Sequence, residues 1–183
     1  MNRVYVLVAT ASDAAFLRAI LPPELLANAE VVSAVRSGAI ASLARSLIVR
    51  RNCPVAVVMD SDSINPEVAE ERRQSTEGLI RAAHASIPVK VVAVVPTIEV
   101  WFFASPKLIE RVVGGGVPEL LALGTRDPKG VLQQLAKSNQ KTWDIFGAIK
   151  ALDAADIELI RAVPEVVELS RFLQDMQKSE QAA

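Results

Sequence analysis

One cysteine, Cys53, and one histidine, His84, are all that 183 residues offer of either type. A single thiol excludes an internal disulfide and a cysteine-ligated zinc cluster, so Cys53 is expected only to pack ahead of a central strand. A single imidazole, late in a polar helix, cannot serve Ser12, Ser37 and Cys53 together, which disfavours a hydrolase triad. Aromatic residues amount to 4% of the chain against 51% apolar, so the core must be built from Ala, Val, Leu and Ile. Neither sign of charge dominates: 20 basic and 21 acidic side chains leave a formal charge of −1. Any contact with nucleic acid must therefore use a local patch. No apolar run approaches the roughly 18 residues of a membrane span. The start, Met1-Asn2-Arg3, runs into a strand without the small-residue cleavage pattern of a signal peptide. A cytoplasmic protein with no membrane partner is expected.

What the chain does have is alternation. Short apolar runs at Val4–Ala9, Glu30–Val35, Val55–Met59 and Val89–Val95 predict four strands. Helices are predicted between them: Ala14–Leu21 with Ser12 or Asp13 as cap, Gly38 to about Arg51, and Pro66 to about Ala85. Strand and helix alternating in this way predict a three-layer α/β fold with a parallel sheet of about four strands. Beyond Ser105 the pattern becomes helical. Starts are read at Pro106, Pro118, Pro128, Trp143 and Ala155, with a break at Gly114-Gly115-Gly116 and a frayed tail after Gln174. The expected organisation is an α/β core over 1–105 and a helical C-terminal extension over 106–183 packed on that core.

The stretch that organises the rest is Pro54-Val-Ala-Val-Val-Met-Asp60-Ser-Asp62. A strand buried on both faces ends there in two carboxylates. Carboxyl ends of strands in α/β sheets are where ligands bind. If the backbone stayed extended, the two aspartates would project to one side, with Cα atoms about 6.5–7 Å apart. Asp13 follows the first strand, and Glu99 follows the fourth, set between Ile98 and Val100 where an unpartnered carboxylate is costly. The expected partner of Glu99 is a cation or an arginine, with Arg36, Arg45 and Arg72 as competitors. Carboxylate oxygens suit Mg²⁺ or Mn²⁺, so Asp13, Asp60, Asp62 and Glu99 are candidate metal ligands. Each also has an ordinary reading: Asp13 as a helix cap, the aspartate pair as a strand exit. Trp101, Phe102 and Phe103 are expected in the core, sheltering Glu99. Arg36-Ser37-Gly38 at a strand-to-helix turn, and Lys129 at a helix start capped by Asp127, are candidate phosphate contacts.

Asp13 after strand one, Asp60-x-Asp62 after strand three and Ile98-Glu99-Val100-Trp101 after strand four resemble the Toprim domain of topoisomerases, bacterial primases and OLD nucleases. Ser37-Gly38, Ser42-Leu43-Ala44-Arg45 and Asp127-Pro128-Lys129 are similar to segments of a family of small stand-alone Toprim-related proteins, often paired with ATPases. The resemblance runs in order from Val4 to Leu173. It implies Mg²⁺- or Mn²⁺-dependent phosphodiester chemistry on nucleic acid, with Asp13 and Glu99 as catalytic residues. One departure stands against that activity. The Toprim pattern opens on a glutamate and a glycine where this chain has Ala9 and Thr10. A methyl group neither ligates a cation nor moves a proton. A non-catalytic Toprim-like module, acting as a partner subunit in a phage-defence or DNA-transaction complex, is the alternative. A third reading is a receiver-like phospho-acceptor domain using Asp13 and Asp60, against which no lysine follows a recognisable fifth strand.

Overall fold

The computed structural model describes residues 3–34, 37–115 and 118–181. Strands β1 (Val4–Val8), β2 (Ala29–Ser33), β3 (Val55–Asp60) and β4 (Val89–Val94) form one parallel sheet in the order β2-β1-β3-β4. The register pairs Val4 with Ala29, Tyr5 with Val55 and Val55 with Val89, which brings the carboxyl ends of the strands to one rim. The α/β fold expected from the alternation is found.

Alternation along each strand divides the core into two layers. Val4, Val6 and Val8 face one cluster with Phe16, Leu17 and Ile20 of α1 (Ala11–Ile20). Tyr5 and Leu7 face the other, with Ile40, Ala44 and Ile48 of α3 (Ile40–Arg51) and Ile80 of α4 (Pro66–Arg81). The short α2 (Pro23–Leu26), which the sequence reading missed, follows Pro22 and adds Leu25 to the first layer.

The C-terminal helices complete the α1 layer. They are α5 (Pro106–Val113), α6 (Pro118–Leu123), α7 (Pro128–Ser138), α8 (Ile145–Ala151), α9 (Ala154–Arg161) and α10 (Pro164–Gln181). Leu108, Leu132, Ile160 and Leu169 join the cluster that contains Val6 and Phe16. Two expectations are corrected here. The single helix predicted from Ala155 is two, divided at Pro164, whose ring cannot continue a helix but suits its first turn. The tail expected to fray after Gln174 is helical to Gln181. Cys53 is buried ahead of β3, its Sγ donating to the carbonyl of Arg51.

Because α1 covers one face of the sheet and α3 the other, the winding changes direction between β1 and β3. The crevice at such a switch point opens beyond the carboxyl ends of the strands.

Candidate functional site

Asp60 is the last residue of β3, opposite Val94 of β4. Its Oδ1 accepts the N–H of Ile98 at 2.9 Å, capping the 3₁₀ segment Ile98–Ala104 from outside. The segments after β3 and β4 stay joined past the ladder: Ser61 N–H reaches the Val94 carbonyl at 2.8 Å and Asp62 N–H the Pro96 carbonyl at 3.0 Å. Ser61 is fully buried, its hydroxyl donates to the Ser63 carbonyl at 2.8 Å, and Arg72 Nη1 donates to its carbonyl. Asp62 has φ 51°, in the left-handed region that aspartate tolerates better than most residues. The expected extended pair is therefore corrected. The backbone turns between the two aspartates, leaving Asp60 half-buried and Asp62 exposed.

At the end of β1, Thr10 rather than Ser12 or Asp13 caps α1, which consequently begins at Ala11. Asp13 is the third helical residue: its Oδ2 accepts the Thr10 N–H at 3.0 Å, while its own N–H donates to Thr10 Oγ1 at 3.2 Å. Glu99 lies on the 3₁₀ segment and is buried, 9% exposed. Phe102 stacks on Phe16 with ring centroids 4.8 Å apart and meets Trp143 edge-on at 5.4 Å, so an aromatic cluster fixes the segment from below. Among the described residues Glu99 makes no ion pair or hydrogen bond. Arg72 is turned to the Ser61 carbonyl instead, Arg45 lies further down α3, and Arg36 falls outside the described residues. Two buried polar atoms nearby, Oγ1 of Thr97 just ahead of the segment and Nε1 of Trp101 within it, also have no partner.

The four carboxylates from three strand ends influence one another. Burial pushes the Asp60 carboxyl up to about 7; the Ile98 N–H opposes this, and the charges of Glu99, Asp13 and Asp62 add to it. The Asp13 carboxyl is raised as well, by burial first; its bonds to Thr10 lower it, Glu99 raises it and Lys129 lowers it. Lys129, on the first turn of α7, is thus within electrostatic reach of the cluster. Above the aspartates opens a cleft of about 520 Å³ lined by Ala9, Gly38, Asp60, Asp62, Arg72 and Thr76, among others. Gly38 is one of the candidate phosphate contacts; the side chain of Ser37 falls outside the described residues, as does Arg36. Arg72 and Thr76 were not singled out in the sequence as cleft residues. The signal was present: Pro66 starts a helix just after the Asp60–Asp62 turn, and positions 72 and 76 stack on one face of it.

The donor set suits a hard divalent cation in kind, being carboxylate oxygen throughout. Its arrangement is looser than a formed site: among the described residues no three such side chains are grouped closely enough to hold one ion. Nor, among the described residues, is any helix long and apolar enough to cross a membrane.

No family model and no curated protein matches the chain. Comparison with solved structures finds the C-terminal region of the Xanthomonas campestris pv. campestris OLD protein. The TM-score is 0.51 and the identity 14%, over 97% of this chain and 98% of that one. At that identity the likeness is one of architecture: this chain has an α/β fold similar, along its length, to the C-terminal region of an OLD protein.

Proposed function

We propose that this chain is a Toprim-like protein whose acidic rim takes up Mg²⁺ or Mn²⁺ and meets the phosphates of a nucleic acid. The observation that carries this reading is the gathering of Asp13, Asp60, Asp62 and Glu99 from three strand ends, close enough for the other three charges to act on Asp60. Asp60, Asp62, Glu99 and Asp13 are the ligands, drawn inward when a cation supplies the charge that the cluster lacks. A bound divalent ion would polarise a phosphodiester oxygen. In a catalytic version Asp13 and Glu99 are the residues that touch the reacting groups. The fold shared with an OLD protein region supports a nuclease-related ancestry.

Ala9 favours a second reading. It lines the cleft where the Toprim pattern has a glutamate, and its methyl group supplies neither ligand nor proton. On that account the chain binds metal and nucleic acid as a partner subunit, with an ATPase, in a cytoplasmic defence or DNA-transaction complex. The receiver-like reading loses ground, because the sheet has four strands among the described residues and no fifth to carry its lysine.

Titration calorimetry with MnCl₂ tests the metal site. Heat of binding is expected from the wild type and none from Asp60→Asn; equal heats, or none from either, overturn the reading. Plasmid nicking separates the two versions. Catalysis predicts nicking by the wild type that Asp62→Ala stops, whereas the decayed site predicts nicking only after Ala9→Glu.

A further inference from the structure

A second groove, of about 490 Å³, lies between α3 and the end of α4, lined by Ser42, Arg45, Ser46, Arg50 and Ala83 among others. It contains two guanidinium groups and two hydroxyls, and no acidic residue. Arg45 and Arg50 are exposed, and neither has an ion pair or hydrogen bond among the described residues. Most arginines around the acidic helix α4 are occupied: Arg73 pairs with Glu70 and Glu77, Arg81 with Glu77, and Arg72 holds the Ser61 carbonyl. Two unpaired guanidinium groups at one groove, beside Val49 at 65% exposure, leave it able to take an anion.

The groove and the acidic cleft lie along the same two helices. Ala41 lines the cleft, and Arg45, one turn further along α3, lines the groove. On the facing helix Arg72 and Thr76 line the cleft, and two turns later Ala82 and Ala83 line the groove. The two helices pack side by side, both entering from the strand-end rim. The furrow between α3 and α4 thus holds the basic groove, with the acidic cleft toward the rim end of the same two helices. Arg45 and Arg50 are separated by about 7.5 Å along the helix axis.

We propose that the α3–α4 furrow is a track for the sugar-phosphate backbone of a single nucleic-acid strand, gripped by Arg45 and Arg50 as it leaves the acidic cleft. This rests on the proposed function for what occupies the cleft, but it needs no metal. The contacts available are guanidinium and hydroxyl to phosphate, with no aromatic platform in the groove, so binding is insensitive to base sequence.

The test is fluorescence anisotropy of a labelled 12-nucleotide DNA in EDTA at low salt, where failure of the metal site has no bearing. Wild type is expected to bind. The double variant Arg45→Ala/Arg50→Ala should lose affinity about tenfold or more and flatten the log–log salt slope by about 1.4, at roughly 0.7 per phosphate contact. Arg45→Lys/Arg50→Lys should keep most of the binding, and Arg171→Ala on α10 should change nothing. If the double alanine variant fails to fold, Val49→Glu, which puts a negative charge into the groove, should weaken binding similarly. Absence of binding by wild type, or equal binding by the variants, overturns the proposal. So does preference for phosphatidylserine vesicles over DNA through the same arginines.

Discussion

In the folded protein Asp60 keeps its proton up to about pH 7, whereas the ordinary aspartate value is 3.8. The folded pKa is raised, so the native state binds the proton more tightly than the unfolded one. Asp60 therefore costs no stability below about pH 4, costs progressively more as pH rises from there, and carries the full cost of its ionised carboxylate above about 7. The displacement from 3.8 to about 7 bounds that cost at roughly 4 kcal/mol. Asp60→Asn keeps an oxygen for the Ile98 N–H and removes the charge. It should stabilise the protein by about 1–3 kcal/mol at pH 8, a rise of several degrees in melting temperature, and by nothing at pH 4. Thermal denaturation at the two pH values checks it; a variant less stable than wild type at pH 8 contradicts the burial of like charge. A buried carboxylate with a strongly raised value at a strand end is what the proposed metal site needs at the scale of a single residue.

Among the elements, the 3₁₀ segment Ile98–Ala104 governs where Glu99 sits. It is held at its start by Asp60 and from below by Phe102 against Phe16 and Trp143. Phe102 is fully buried, so Phe102→Ala should cost about 3–5 kcal/mol in urea denaturation. A loss under about 1 kcal/mol would mean that the cluster does not anchor the segment. The sequence made some of this legible. Continuous apolar runs such as Val55–Met59 marked strands buried on both faces, and Pro66, Pro106 and Pro128 marked helix starts because their missing N–H is not needed there. Pro164 carried the same signal, but it was masked because the apolar spacing on either side continues through it. The sequence did not reveal Thr10 as cap, because Ser12 and Asp13 offer equally good capping oxygens two and three residues later.

At the scale of the whole molecule, the site depends on a sheet whose order, β2-β1-β3-β4, opens a crevice between β1 and β3. The strand-end positions of Asp60, Asp13 and Glu99 followed from alternation alone. The left-handed turn at Asp62 did not, because it is imposed by the bond from its N–H to the Pro96 carbonyl, a contact between distant parts of the chain. The α3–α4 furrow was hidden for the same reason: Arg45 and Arg72 belong to helices whose neighbourhood only the fold decides. The charge on the chain is close to balanced, but its arrangement is not, with carboxylates at the head of the furrow and unpaired arginines along it.

Shared charge at the strand ends is tested most directly by the protonation of Asp60, which a carbon-13 NMR titration of its side-chain carboxyl reads without any assumption about activity. The expected midpoint is about 7. It should fall in Glu99→Gln, which removes one of the neighbouring charges, and fall further when Mg²⁺ is added to the wild type. A midpoint near 4, indifferent to both changes, would mean that the strand ends do not share their charge and that no cation is awaited there.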